Sequence, residues 1–365
     1  MPLKFSKRLI ASEAFESAAA FDVDGDGQLD LVSGGFWYQG PDFVTRHNLG
    51  QVQREGDYYD DFSTIALDVN GNGRLDFVTG GWWGHRLIWR ENPGVAGQEW
   101  TEHLIAQMGR IETTRAWDVD GDGYLELVPN TPNESLVIYR LERDAQGKGL
   151  GQFSSHTLWA GPQGHGLGFG DVSGSGRGDF VFTTGWLEAP EHRWTGEWTF
   201  HQEFDLGFES GLASVPMIVA DVNGDGLSDL IVGNAHGYGL DWLEQGRDAG
   251  GGRTWTRHPI DPFCSQYHDL RWADLDGDGQ MELITGKRYL AHPGDVDAGN
   301  GDELGIYYFK WTGAGFVKHF IAHGPLGVWA GCGITFDLAD LRGTGRLDVI
   351  APGKDGLHIF FNEGL

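Results

Sequence analysis

Short apolar stretches separated by polar turns recur along this chain in a fixed order. A stretch of small residues such as Ser17-Ala-Ala-Ala-Phe21 runs into an acidic, glycine-rich segment. A second apolar stretch follows, as in Leu29-Asp-Leu-Val-Ser33, and ends at Gly-Gly or a similar break. A third carries aromatics, as in Leu87-Ile-Trp-Arg90 and Ile306-Tyr-Tyr-Phe309. The fourth has an aromatic and, three residues on, a histidine, as in Trp100-Thr-Glu-His103 and Trp255-Thr-Arg-His258. Stretches this short, bounded by glycine and acidic turns, read as strands; no segment repeats apolar residues at helical spacing.

The acidic segments count the units. Asp22-Val-Asp24-Gly-Asp26-Gly returns as Asp68-Val-Asn70-Gly-Asn72-Gly, Asp118-Val-Asp120-Gly-Asp122-Gly and Asp171-Val-Ser173-Gly-Ser175-Gly. It returns again as Asp221-Val-Asn223-Gly-Asp225-Gly, Asp274-Leu-Asp276-Gly-Asp278-Gly and, worn, as Asp340-Leu-Arg342-Gly-Thr344-Gly. The first aspartates stand 46 to 66 residues apart, a period that suits four strands per unit. Seven such units predict an all-β, seven-bladed β-propeller forming one domain over residues 1–365. Phe5-Ser-Lys-Arg8-Leu-Ile-Ala matches the fourth strand Phe316-Val-Lys-His319-Phe-Ile-Ala, yet it precedes the first acidic loop. The N-terminal strand is therefore expected to complete the last blade and remove the exposed edges.

Positions 1, 3, 5 and 9 of each loop offer side-chain oxygen, with a backbone carbonyl at position 7. Ca²⁺ takes six to eight oxygens in such a flexible cage, and the glycines let the backbone curl round it. The strongest sets are Asp22, Asp24, Asp26, Gln28 (carbonyl) and Asp30; Asp118, Asp120, Asp122 and Glu126; and Asp274, Asp276, Asp278 and Glu282. Asp68, Asn70, Asn72 and Asp76, and Asp221, Asn223, Asp225 and Asp229, are further candidates. The loops at Asp171 and Asp340 have serines or Arg342 and Thr344 instead, and are expected to hold no ion. An Asx-rich turn held by its own hydrogen bonds is the metal-free alternative.

These segments resemble the FG-GAP or VCBS repeat family, which includes the integrin α-subunit propeller. The resemblance implies that the calcium loops join the first and second strands of each blade, so the ions are structural. Trp89-Arg-Glu-Asn-Pro and His268-Asp-Leu-Arg-Trp-Ala-Asp-Leu-Asp-Gly-Asp-Gly are similar to the propeller domain of the aldos-2-ulose dehydratases, lyases of anhydrofructose, whose cupin domains have no counterpart in this sequence. Seven-bladed polysaccharide lyases are similar in architecture. These resemblances imply carbohydrate elimination chemistry.

The net charge of −27 argues against nucleic acid or an anionic membrane as partner, and clustered carboxylates call for a cation. No apolar run is long enough to span a bilayer. Cys264 and Cys332 fit no Cys-x-x-Cys metal pattern and read as packed thiols. No charged-then-apolar signal is visible at the start, which favours the cytoplasm. An extracellular or periplasmic home would require a removed leader.

With the calcium loops on one face, the loops entering the first strand and leaving the second share the other, where the channel mouth can form a pocket. His47, His103, His156, His201, His258 and His319 recur with the blades and read as scaffold. His165 and His268 do not recur. Each stands six residues before its loop's first Asp, a register shared by Glu16 and Glu112, with Asp61 one step further out. Equivalent positions ring the axis, so these side chains are expected to converge. His165 and His268 are candidates for base and acid, or for ligands of a second divalent metal together with Glu112. Arg115, Lys287 and Arg288 are candidates for neutralising an enolate, with His292 a further acid–base group. Tyr267, Trp82, Trp83, His85 and His236 complete the expected sugar-binding surface. The aromatic ones have packing between blades as their other role. The function expected is a carbohydrate lyase or dehydratase performing β-elimination on a keto-sugar or uronate. The alternative is a non-catalytic propeller that binds glycan or protein, and a metal-assisted hydrolase is a more distant third.

Overall fold

The apolar stretches that run into the acidic loops form short strands, three residues long in five of the seven units. The computed structural model describes residues 2–208, 211–294 and 296–365, and among these every regular element is a β-strand. Seven four-stranded antiparallel sheets form, each a simple up-and-down meander. Blade 1 comprises Ala19–Phe21, Asp30–Ser33, Phe36–Tyr38 and Arg46–Asn48, and blade 2 begins at Ile65–Leu67. Blades 3, 4, 5 and 6 begin at Thr113–Trp117, Gly168–Gly170, Ile218–Ala220 and Tyr267–Ala273.

Blade 7 consists of Asp337–Ala339, Asp348–Ala351 and Leu357–Gly364, and its fourth strand is Lys4–Ala11 from the other end of the chain. That strand pairs antiparallel with Leu357–Gly364, Lys7 lying opposite Phe360. The expected seven-bladed ring and its closure are both present.

The first strands line the axis and touch their neighbours directly. Met217 N donates to Leu167 O at 2.8 Å and Thr335 N to Glu16 O at 3.0 Å, each across a blade boundary. Contact this close requires small residues: a Cβ on Gly168 would lie 2.6 Å from the Met217 carbonyl oxygen. Further out, the sheets pack face to face through large apolar side chains. Phe21, Val32, Trp37, Phe77 and Trp100 form one such layer between blades 1 and 2. Each large side chain buried in this way contributes about 1.5–3 kcal/mol.

The recurring histidines are scaffold, as their periodicity predicts. His47, His103, His201, His258 and His319 stack on Trp37, Trp89, Trp186, Trp242 and Tyr308 of the third strand, ring centroids 4.1 to 4.7 Å apart. His156 packs against Trp194.

The acidic loops join first and second strands at one end of the ring. Their glycines adopt positive φ, as at Gly25 (79°) and Gly27 (85°), where other residues are strained. Asp22 accepts from Gly25 N and Gly27 N, and Asp30 from Val23 N and Gly40 N, so position 9 locks the turn to the sheet. The two loops expected to hold no ion make other bonds. Ser173 bonds Asp171 and Ser175, while Arg342 pairs with Asp348 and Glu363. One feature lies outside the repeat pattern. A third-strand cation reaches into two of the strongest loops: Arg140 onto Asp120, Asp122 and Glu126, and Lys310 onto Asp276, Asp278 and Glu282.

Candidate functional site

The end of the ring opposite the acidic loops carries the links into first strands and out of second strands. Six residues before the first loop aspartate, three blades place Phe62, Val215 and Ile334, all buried and apolar. The other four place Glu16, Glu112, His165 and His268, also buried, and these polar ones cluster at the axis. His236, from the turn after the second strand of blade 5, joins them. Glu112, His165, His236 and His268 offer four ligand atoms that all lie within 4.8 Å of one another.

The contacts fix how each ring faces the centre. His268 Nε2 lies 2.9 Å and His165 Nε2 3.2 Å from Glu112 Oε1. His165 Nδ1 is 2.8 Å from the Ala213 carbonyl, an acceptor only, so Nδ1 carries a proton and Nε2 is the nitrogen turned to the centre. His236 Nδ1 faces Asp297 Oδ2 at 3.4 Å, which turns its Nε2 to the His165 Nε2 at 3.3 Å. Burial pushes His268 down to about 3 and His236 to about 4, so both rings are neutral at pH 7. Burial alone would raise the Glu112 carboxyl, but the His165 and His268 rings hold it well below the usual carboxylate range. His268 Nδ1 is buried with no hydrogen-bond partner.

The neutral rings of His236 and His268 and an ionised Glu112, converging on one point, are in the protonation states a metal requires. Three nitrogens and one oxygen suit a first-row divalent ion of the zinc, cobalt, nickel or iron kind, and the carboxylate beyond His236 is the usual outer partner of a ligating histidine. The residues fit such an ion.

Cations and a phenol surround this group. Arg288 Nε bonds Glu16 Oε1 at 2.9 Å, and its Nη1 stands 3.7 Å from Glu112 Oε1. Lys354 Nζ lies 3.9 Å from Glu16 Oε2 and 3.7 Å from the centre of the Tyr58 ring. His292 holds Asp297 through Nδ1 at 3.0 Å and stacks on His236 with centroids 4.6 Å apart. Burial lowers Lys354 to about 8 and raises Tyr58 to about 12.

Several residues expected here are elsewhere. Arg115 lies deeper in the channel, bonded to Asp269 at 2.8 Å and to the Val215 carbonyl, so it is not available to an enolate at the mouth. Lys287 is buried with its amine on Ser265, Gln266 and the Gly299 carbonyl, where it pins the blade 6 insertion. Tyr267 is fully buried and donates to Asp261 at 2.7 Å, inside the packing of blades 5 and 6. Trp83 is wedged between Tyr58 and Phe62, and Trp82 lies beneath Arg110: both serve aromatic packing. His85 is exposed in the blade 2 turn at φ 51°, apart from the cluster. Asp61 bonds Thr79 and does not face the centre.

Sequence reasoning missed Tyr58 and Lys354. Tyr58 sits on a two-stranded hairpin, Arg54–Glu55 with Tyr58–Tyr59, inserted between blades 1 and 2; the long link there was its only signal. Lys354 occupies an ordinary-looking blade 7 turn and gave none.

A ring of seven four-stranded antiparallel blades defines a seven-bladed β-propeller. The family model described as FG-GAP-like repeat matches residues 68–129 and 221–285. No curated protein matches the chain in sequence. Among solved structures, BBS1N in complex with ARL6DN is similar with a TM-score of 0.57 and 11% identity, over 99% of this chain and 97% of that one. That is a likeness of fold. An Agrocybe aegerita lectin that recognises non-reducing terminal N-acetylglucosamine aligns over 99% of this chain and 94% of its own, at 16% identity and TM-score 0.49. The rhamnogalacturonan lyase YesW aligns over 98% and 72%, at 16% identity and TM-score 0.47.

Proposed function

We propose that the protein is a metal-assisted carbohydrate lyase or dehydratase, carrying out β-elimination on a keto-sugar or uronate at the channel mouth opposite the acidic loops. The observation that carries this reading is the convergence of Glu112, His165, His236 and His268 on one point. Such elimination needs a base for the proton α to a carbonyl, stabilisation of the enolate, and an acid for the leaving oxygen. A divalent ion held by these four residues would supply the enolate stabilisation as a Lewis acid. His165 and His268 are then ligands, which leaves the proton work to a group at the mouth. His292 suits it: Asp297 holds its Nδ1, which makes Nε2 the accepting nitrogen, and its side chain is 45% exposed. Arg288 adds fixed positive charge beside Glu112.

The deep burial of the four ligand residues favours a second reading, a structural ion that plugs the channel of a glycan- or protein-binding propeller. Incubation of the metal-loaded protein with keto-sugars and uronate glycans, followed by ultraviolet absorbance for unsaturated products, separates the two. The lyase reading expects a signal that His292→Ala lowers at least 100-fold while metal content is unchanged. No signal across the panel leaves the binding reading.

A further inference from the structure

The centre is closed. Glu112, His165 and His236 are 6%, 6% and 5% exposed and His268 is 0% exposed, too little for a sugar-sized ligand to touch the atoms they converge on. For such a ligand to reach them, part of the cover has to move. On the His236 side the cover is the segment 289–294, which leaves the second strand of blade 6 and belongs to none of the seven sheets. Its His292 ring lies on His236 and carries the solvent-facing surface.

Two side chains from distant parts of the chain hold this segment down. Tyr58 Oη donates to the Ala291 carbonyl at 2.6 Å, and Lys354 Nζ donates to the Leu290 carbonyl. The Lys354 ammonium also lies over the Tyr58 ring at 3.7 Å, which couples the two grips through a cation–π contact. Between them, Leu290 is held at φ 49°, a left-handed conformation that is costly for a branched, non-glycine residue. Inside the insertion, Asn300 bonds the His292 and Gly294 carbonyls, and Tyr289 N donates to the Cys332 carbonyl at 3.3 Å. Residues 58 and 354 thus hold positions 291 and 290, while Cys332 of the link into blade 7 holds 289 and Asn300 of the insertion holds 292 and 294. A strained segment outside every sheet, held by a few side-chain contacts from remote parts of the chain, is poised to open when those contacts are released.

We propose that 289–294 is a lid over the Glu112–histidine centre, latched by Tyr58 and Lys354, and that release of the latch admits ligands to the centre. The ligand and the need for access rest on the proposed function; the latch contacts do not. Hydrogen–deuterium exchange on the full chain tests it, comparing wild type with Tyr58→Phe, Lys354→Met and the double variant. Exchange in peptides covering 289–294 is expected to rise at least tenfold in each variant and further in the pair. Glu282–Lys287 and the other blade strands are expected to stay at wild-type rates. Extraction of bound Co²⁺ or Zn²⁺ by a chelator is expected to accelerate in parallel. Unchanged exchange in 289–294, or a rise shared by the blade strands, overturns the lid. If 289–294 opens in the variants while no divalent metal binds at all, the lid stands and the metal reading of the centre falls.

Discussion

The Nε2 atoms of His165 and His236 face each other at 3.3 Å while each ring has its Nδ1 directed at an acceptor, Ala213 O and Asp297 respectively. Two lone pairs aimed at one point repel unless a proton or a metal lies between them. Burial keeps His236 in its neutral, lone-pair form, and a divalent ion at that point would also meet Glu112 and His268.

One equivalent of a divalent transition metal is expected to bind. His236→Ala should weaken binding by more than 100-fold, and Asp297→Asn by about 10–100-fold, through loss of the group that orients His236. His103→Ala, in the scaffold set, should leave affinity unchanged. Calorimetry or Co²⁺ absorption measures this, and wild-type affinity in His236→Ala would sink the assignment.

Calcium should bind at the acidic loops, and the third-strand cations should set its strength. Lys310 contacts Asp276, Asp278 and Glu282, where an incoming ion must compete with it. Lys310→Gln is therefore expected to raise calcium affinity at blade 6 by about tenfold, an electrostatic gain of about 1.4 kcal/mol. Terbium luminescence or calorimetry against wild type reports it. An unchanged or weaker affinity would contradict the competition.

Deleting residues 2–11 should open the ring. Blade 7 would lose the strand paired with Leu357–Gly364 and expose a long hydrogen-bonding edge. The expected result is a melting temperature lowered by at least 10 °C together with aggregation, measured by calorimetry and light scattering. A monodisperse truncated protein with native melting would refute the closure argument.

Acid should destabilise the fold partly through His358, which is 5% exposed on the third strand of blade 7. Burial, with Lys7 nearby, lowers its pKa from 6.5 to about 4. Between those values the unfolded chain holds a proton that the folded one refuses, so stability falls as pH drops from about 6.5 to about 4. The loss is on the order of 2–3 kcal/mol by linkage. His358→Phe should flatten that part of the stability–pH curve from chemical denaturation. An identical slope in the variant would show that His358 does not contribute.

The sequence by itself determined the blade count, the closing strand, the face to search and the scaffold histidines. All of these follow from periodicity, because a residue that recurs with the unit occupies the same place in every blade. It also determined that Glu16, Glu112, His165 and His268 converge, since one register in a closed ring points at one axis. Tertiary structure alone decided the rest. Arg115, Tyr267 and Lys287 stand close in sequence to centre residues, yet face other layers, because each next residue along a strand turns away and finds its own partner. His236, Tyr58 and Lys354 reach the centre from turns outside the shared register. Their approach depends on the packing of three different blades, and no local pattern records that.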